Sequence, residues 1–159
     1  MSEQETFYCE LVKLTEAIIC EESDNIANMA NISALLFDRL SDVNWVGFYR
    51  LIGDELVLGP FQGKIACIRI PVGKGVCGTC VSSGEVQRVH DVHQFDGHIA
   101  CDASSNAELV LPINVAGKIV AILDIDSKSH GRFTEEDENG MKLIVQAFEH
   151  NLASSKKKI

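Results

Sequence analysis

Residues 67–126 gather groups that could carry out thiol chemistry: Cys67, Cys77 and Cys101, then Glu108, then the pair Asp124 and Asp126. A cysteine attacks as its thiolate. With an ordinary pKa of about 8.5, only a few per cent is ionised at neutral pH, so a reactive thiol needs access and a helix N-terminus or a cation beside it. Cys77 lies just inside the turn Gly73-Lys74-Gly75 that opens a predicted helix, a placement that could activate it. Cys101, in His98-Ile99-Ala100-Cys101-Asp102, sits in a long loop beside a histidine and an aspartate, and from the residues alone is as well read chemical as structural. Strand alternation over Ile119–Asp126 puts Asp124 and Asp126 on one face and Ala121, Leu123 and Ile125 on the other. Acids at adjacent same-face positions repel unless they face water, a cation or a ligand amine, and an exposed rim is the plain alternative. Glu108, at the start of the partner strand, is close enough in a hairpin to join them.

The pair Cys77-x-x-Cys80, followed by His90 and His93, offers zinc two thiolates and two imidazoles. Against zinc, His-x-x-His is tighter than the usual ligand spacing and no second cysteine pair follows. A thioredoxin-like redox pair would want a preceding βαβ pattern, which is missing. Cys9 and Cys20 fall on an N-terminal helix and read as small, buried or half-buried side chains.

The elements that must position these groups are legible from periodicity. Residues 5–21 and 26–40 carry apolar residues at helical spacing, the second run preceded by the cap Ser23-Asp24. Asn44–Leu51 is aromatic and β-branched, Gly53-Asp54 turns it into Glu55–Leu58, and Gly59–Gly63 reads as a loop before a strand at Ile65–Ile70. A short helix is expected through Ser83, a brief strand at Val86–Val89 and a long loop over Asp91–Ser105, a length that usually signals function. Leu109–Val115 and Lys118–Ile125 form a predicted hairpin around Ala116-Gly117, and Thr134-Glu135-Glu136-Asp137 has the form of a capping box opening a last helix. Strands joined by tight turns, with helices before and after, imply an α+β layout with an antiparallel sheet.

The totals narrow the function classes. The 159 residues suit a single domain, here 1–159 with short tails, and the hydrophobic content of 46% suits a packed core. A net charge of −9 argues against nucleic acid, and the run Lys156-Lys157-Lys158 is too short to reverse that. No signal-peptide pattern or membrane-length apolar run is present, so the expected location is cytoplasmic, where the six cysteines would stay reduced unless they do chemistry.

Five motifs then come in order: Gly59-Pro60-Phe61-Gln62-Gly63 through Cys67 to Ile70, Gly73-Lys74-Gly75-Val76-Cys77-Gly78, Gly97-His98-Ile99-Ala100-Cys101-Asp102, Glu108-Leu109-Val110-Leu111-Pro112, and Leu123-Asp124-Ile125-Asp126. Together they resemble the free methionine-(R)-sulfoxide reductases, GAF-domain enzymes, over roughly residues 25–150. The resemblance implies a GAF-like six-stranded antiparallel sheet, terminal helices packed on one face and a ligand pocket on the other. It implies reduction of the free amino acid through a sulfenic acid on Cys101, resolved as a disulfide by Cys67 with Cys77 as the third thiol, and recycling by thioredoxin. Glu108 and Asp126 would meet the sulfoxide oxygen and Asp124 the substrate ammonium. Trp45, with Tyr49, would wall the pocket against the methyl group. No metal or organic cofactor is implied, and a homodimer is compatible with the sequence. Cys80, Cys9 and Cys20 are extra to the pattern, His90 stands where proline is usual, and Asp96 interrupts a common Phe-Pro-Gly-His.

A GAF sensor without catalysis could use the same pocket, but three placed thiols have no purpose in it. A zinc deaminase would want His-x-Glu, which does not occur. One structural expectation comes from parity. With a plain two-residue loop at Ala116-Gly117, Glu108 falls opposite Ile125 and points away from Asp124 and Asp126. A shared pocket therefore requires one extra residue to be absorbed, and Leu111–Pro112 is the expected place because proline favours bulges.

Overall fold

The computed structural model describes residues 1–97 and 104–155. Cys101, its neighbours His98 and Asp102, and the Lys156–Lys158 run lie outside the described residues.

Helices α1 (Glu3–Ile19) and α2 (Asn25–Arg39) come first, then strands β1 (Trp45–Ile52), β2 (Glu55–Gly63) and β3 (Arg69–Pro71). Helix α3 (Gly75–Ser83), β4 (Gln87–Val89), a 3₁₀ turn at Val92–Gln94, the hairpin β5 (Ala107–Val115) and β6 (Lys118–Ser127), and α4 (Glu135–Ser155) complete the order. The strands form one antiparallel six-stranded sheet in the order β3-β2-β1-β6-β5-β4. Among the described residues, no helix is long and apolar enough to cross a membrane.

Strand alternation sorts the sheet's two faces. Val46 and Phe48 of β1, Leu109, Leu111 and Ile113 of β5, and Leu123 and Ile125 of β6 pack against buried residues of α1, α2 and α4. Phe48 meets Phe148 of α4 edge-on, with ring centroids 5.5 Å apart. The opposite face carries Trp45, Tyr49, Val110 and Ile122, and α3 covers it with Val76, Cys77 and Cys80. The terminal helices and the pocket therefore lie on opposite faces, as expected.

Caps fix the helix starts. Ser2 and Glu5 form a capping box, and the Asp24 side chain accepts from the Ala27 N–H. At α4 the Thr134 hydroxyl accepts from the Asp137 N–H at 3.2 Å, while the Asp137 carboxylate accepts from the Thr134 N–H at 2.8 Å. Burial alone would raise the Asp137 carboxyl, but donors from Thr134 and Tyr8 and the Arg132 charge hold it below its ordinary value.

Two strand expectations are corrected. Gly59–Gly63 is not a loop but the second half of β2, reached through a bulge: Gly47 pairs with Phe61 and Tyr49 with Leu58, so β2 carries one residue more than β1. Pro60 is tolerated there because β3 pairs only with Glu55–Val57 and leaves this stretch without a ladder on that side. Gly47 makes the close approach possible, since a Cβ there would stand 2.3 Å from the Phe61 Cβ. Conversely, Ile65–Ile70 is not a strand; only Arg69–Pro71 pairs. Ile65 and Ile68 are 92% and 68% exposed and Ile70 alone is buried, so the apolar run there has no continuous buried face, and the Trp45 and Tyr49 side chains take the carbonyls of Lys64 and Cys67.

The parity requirement is met, at a different place. The turn has two residues, Ala116 and Gly117, both at positive φ (52° and 77°) as a primed hairpin turn needs. Ile113 then pairs with Ala121 but Asn114 with Ile119, leaving Val120 as the extra residue on β6. Glu108 thereby faces Asp126 across the ladder. Leu111 and Pro112 pair regularly with Leu123 and Ile122, because β4 ends at the partner of Val110 and demands no donor from Pro112 on that side. The Asn114 N–H at the bulge donates instead to the Glu149 carboxylate of α4.

Candidate active site

The acid face of the β5–β6 hairpin, the start of α3 and the aromatic end of β1 enclose a cavity of about 60 Å³. Trp45 and Tyr49 line it together with Cys77, Glu108, Asp124 and Asp126, so six of the candidate site residues share one space. The side chain of Trp45 stacks between Phe61 and Tyr49, with centroids 5.1 and 5.9 Å away. Its indole N–H donates to the Lys64 carbonyl at 3.0 Å, and the Tyr49 hydroxyl donates to the Cys67 carbonyl at 3.0 Å. Two wall residues thus hold the 64–67 segment against the mouth, with Ile65 and Ala66 lining it.

At the closed end the Cys77 thiol donates to Asp124 Oδ2 at 3.4 Å and to Glu108 Oε1 at 3.6 Å. The start of α3 can pack tightly against the end of β3 because residue 78 is glycine: a Cβ there would meet the Pro71 carbonyl oxygen at 2.6 Å. Burial pushes the Glu108 carboxyl well above its ordinary value, and the charges of Asp124 and Asp126 push it further. Asp124 is also raised by burial, with hydrogen bonds from the Glu108 carboxyl and the Cys77 thiol pulling back. Glu108 is therefore the partner that holds the proton and donates it to Asp124. The other Asp124 oxygen, Oδ1, is buried with no hydrogen-bond partner. Burial and then Asp124 and its acidic neighbours keep the Tyr49 hydroxyl neutral far above its usual range.

Cys77 is not activated as the Gly-rich turn suggested. It occupies the third position of α3, but burial, then Asp124, Glu108 and Asp126, raise its thiol well above the ordinary value. Burial, then Asp124, push Cys80 up to about 12. Cys67 is half-buried beside the cavity and disulfide-bonded. The zinc grouping is not assembled: His93 bonds to Asn106 at 3.0 Å, and the His90 ring packs against Gly131 and lies 6.5 Å from the His130 ring. Cys9 and Cys20 are exposed rather than buried.

Sequence reading missed Lys74, Val76 and Ser105 as lining residues. Ser105 accepts from the Asn44 side chain at 3.1 Å, which ties the end of the long loop to the residue before β1. Lys74 and Val76, inside the motif Gly73–Gly78, carried a signal that could have found them.

These positions can be compared with known proteins. A GAF-domain family model matches residues 21–152. The chain is 57% identical over 149 residues to the free methionine-R-sulfoxide reductase of Escherichia coli K12, covering 94% of this chain and 90% of that one. The chain belongs to the free methionine-(R)-sulfoxide reductases of the GAF-domain family. Solved structures of the family agree: the fRMsr of Staphylococcus aureus in complex with substrate superimposes with a TM-score of 0.88 at 51% identity, covering 92% of this chain and 95% of that one. The free methionine-R-sulfoxide reductase from Neisseria meningitidis, in complex with its substrate, gives 0.94 at 36% identity, covering 100% and 96%.

Two expected results concern groups at and around this site. A carboxyl raised on folding contributes stability that is fully present below its unfolded pKa and lost as pH rises through its folded value. Glu108→Gln keeps a neutral donor at every pH, so its melting temperature should gain on the parent's as pH rises from about 5 to about 9. Parallel curves would mean that Glu108 is not the group being strained. The second concerns the spare thiols. Cys9→Ala and Cys20→Ala should each change stability by no more than about 0.5 kcal/mol, while fully buried Cys80→Ala leaves a small void worth on the order of 1 kcal/mol. Steady-state activity of the triple variant should stay close to the parent's, and a large loss with the fold intact would reveal a role for one of them.

Proposed function

We propose that this chain, acting as a single catalytic domain, reduces free L-methionine-(R)-sulfoxide to methionine. The observation that carries the reading is the buried Glu108 carboxyl, pushed well above its ordinary value by burial and by Asp124 and Asp126, at the end of a cavity walled by Trp45 and Tyr49. A sulfoxide oxygen leaves sulfur only when protonated or hydrogen-bonded, and a carboxylic acid kept neutral among carboxylates supplies that proton.

Cys101 attacks the substrate sulfur as a thiolate. Glu108 and Asp126 hold and protonate the oxygen, Asp124 takes the ammonium, and the Trp45 and Tyr49 rings receive the methyl side. As the bond between the Cys101 and substrate sulfurs forms, the S–O bond breaks and the oxygen leaves as water with protons from Glu108 and solvent. Water then attacks the Cys101 sulfur, the S–S bond breaks to release methionine, and Cys101 is left as a sulfenic acid. The Cys67 thiol condenses with it, releasing water and forming a disulfide; the disulfide-bonded state of Cys67 supports its place as the resolving thiol. A thioredoxin-type dithiol then returns two thiols by exchange. Cys77 is the reserve thiol, too strongly protonated to compete at neutral pH. The cytoplasm provides both the free amino acid and the reductant.

The test is consumption of free methionine-(R)-sulfoxide in the presence of a thioredoxin system, with the (S) epimer and a sulfoxide within a peptide as comparators. Stoichiometric methionine from the free (R) epimer alone is expected. Binding without turnover would leave a sensor in place of an enzyme.

A further inference from the structure

We propose that Cys77, Glu108 and Asp124 form a binding site for a thiophilic divalent cation such as Zn²⁺. One sulfur and two carboxylate oxygens lie within 4.8 Å of one another, all on buried side chains. The two sulfur–oxygen spacings are already those of a metal's coordination shell. A tetrahedral zinc with Zn–S of about 2.3 Å and Zn–O of about 2.0–2.2 Å has S···O edges of about 3.5–3.7 Å, and the Cys77 sulfur stands 3.4 Å from Asp124 and 3.6 Å from Glu108. The donors come from α3, β5 and β6, so little needs to be ordered on binding.

A second observation points to a ligand independently of that spacing. Asp124 is 5% exposed, yet its Oδ1 has no hydrogen-bond partner, an arrangement that costs free energy until a cation or a donor reaches it. The adjoining cavity, about 60 Å³, leaves room for a water as the remaining ligand. A thiolate with two carboxylates favours zinc or cobalt over magnesium, which prefers an octahedral, all-oxygen shell. The cation would occupy the acids assigned above to the sulfoxide oxygen and the ammonium. Its consequence for turnover, though not its binding, therefore rests on that functional reading: zinc should inhibit, competitively with the substrate.

The probe is Co²⁺, added anaerobically to the fully reduced full-length chain carrying Cys9→Ala and Cys20→Ala, so that the exposed thiols do not compete. One equivalent should bind with a thiolate-to-cobalt absorption band, which Zn²⁺ displaces and excess Mg²⁺ does not. Cys77→Ser should abolish the band, Glu108→Gln should weaken binding by about 10-fold or more, and free methionine sulfoxide should displace the metal from a Cys101→Ser chain, which it cannot oxidise. A band that survives Cys77→Ser and vanishes instead in Cys67→Ser or Cys101→Ser would overturn the site, as would failure to bind cobalt. If Cys77→Ser does not fold, displacement by methionine sulfoxide from a Cys101→Ser chain, which the sulfoxide cannot oxidise, decides, because a cation bound elsewhere would stay. If the chain binds cobalt in this way but never reduces a sulfoxide, the functional reading fails and the metal site stands.

Discussion

Cys101→Ser should release no methionine at all, even in a single turnover with excess substrate and no reductant. Cys67→Ser, under the same conditions, should release one methionine per chain and then stall as the sulfenic acid. The contrast follows from the order of the chemistry: the nucleophile is consumed in the step that makes product, whereas the resolving thiol acts only afterwards. Rapid quenching with quantification of methionine measures both, and a sulfenic-acid trap should label Cys67→Ser alone. A full single turnover by Cys101→Ser would move the nucleophile elsewhere. Cys77 is a poor substitute, because burial and the surrounding acids keep its thiol protonated.

N-acetylation of the substrate should produce the second large effect. Asp124 has one buried oxygen without a partner, and in the proposed reaction the substrate ammonium fills that gap. Removing the ammonium leaves a buried carboxylate uncompensated, which costs roughly 2–5 kcal/mol, or about 30-fold to 4,000-fold in kcat/KM. Most of the loss should fall on KM, since the charge pair forms before the chemical step. Comparable steady-state kinetics for free and N-acetyl methionine sulfoxide would remove Asp124 from ammonium binding. Asp124→Asn should narrow the gap between the two substrates, which separates this role from a purely structural one.

The elements that the sequence made legible are those fixed by local rules. Helices α1, α2 and α4 follow from apolar spacing and from caps a few residues away, and the hairpin follows from alternation around Ala116-Gly117. The acid face was readable for the same reason, because alternation alone aligns Asp124 with Asp126. Tertiary context defeated the other expectations. Gly59-Pro60 looks like a loop, yet it lies where β2 has no partner on its β3 side, so a bulge absorbs it without breaking the strand. Ile65–Ile70 looks like a strand, but only Arg69–Pro71 pairs, and Trp45 and Tyr49 claim the Lys64 and Cys67 carbonyls before it. The state of Cys77 could not be read locally at all. The turn before it promised activation, and the carboxyls that reverse the sign arrive 31 and 47 residues later in the chain.

The extra residue at Val120 divides the hairpin into two parts that tolerate changes of length differently. On the turn side of the bulge, Val115 pairs with Lys118 and Asn114 with Ile119; on the pocket side, the ladder from Ile113–Ala121 to Glu108–Asp126 runs without interruption. Dropping Val120 would close the bulge while every one of those pocket-side partners kept its mate, at the expense mainly of the Asn114 contact with Glu149. Dropping a residue between Ala121 and Asp124 would instead rotate one acid relative to the other strand and break up the group that holds the Glu108 proton. The hairpin therefore works like a vernier: slack is allowed on one side of Val120, and on the other the count is fixed by chemistry.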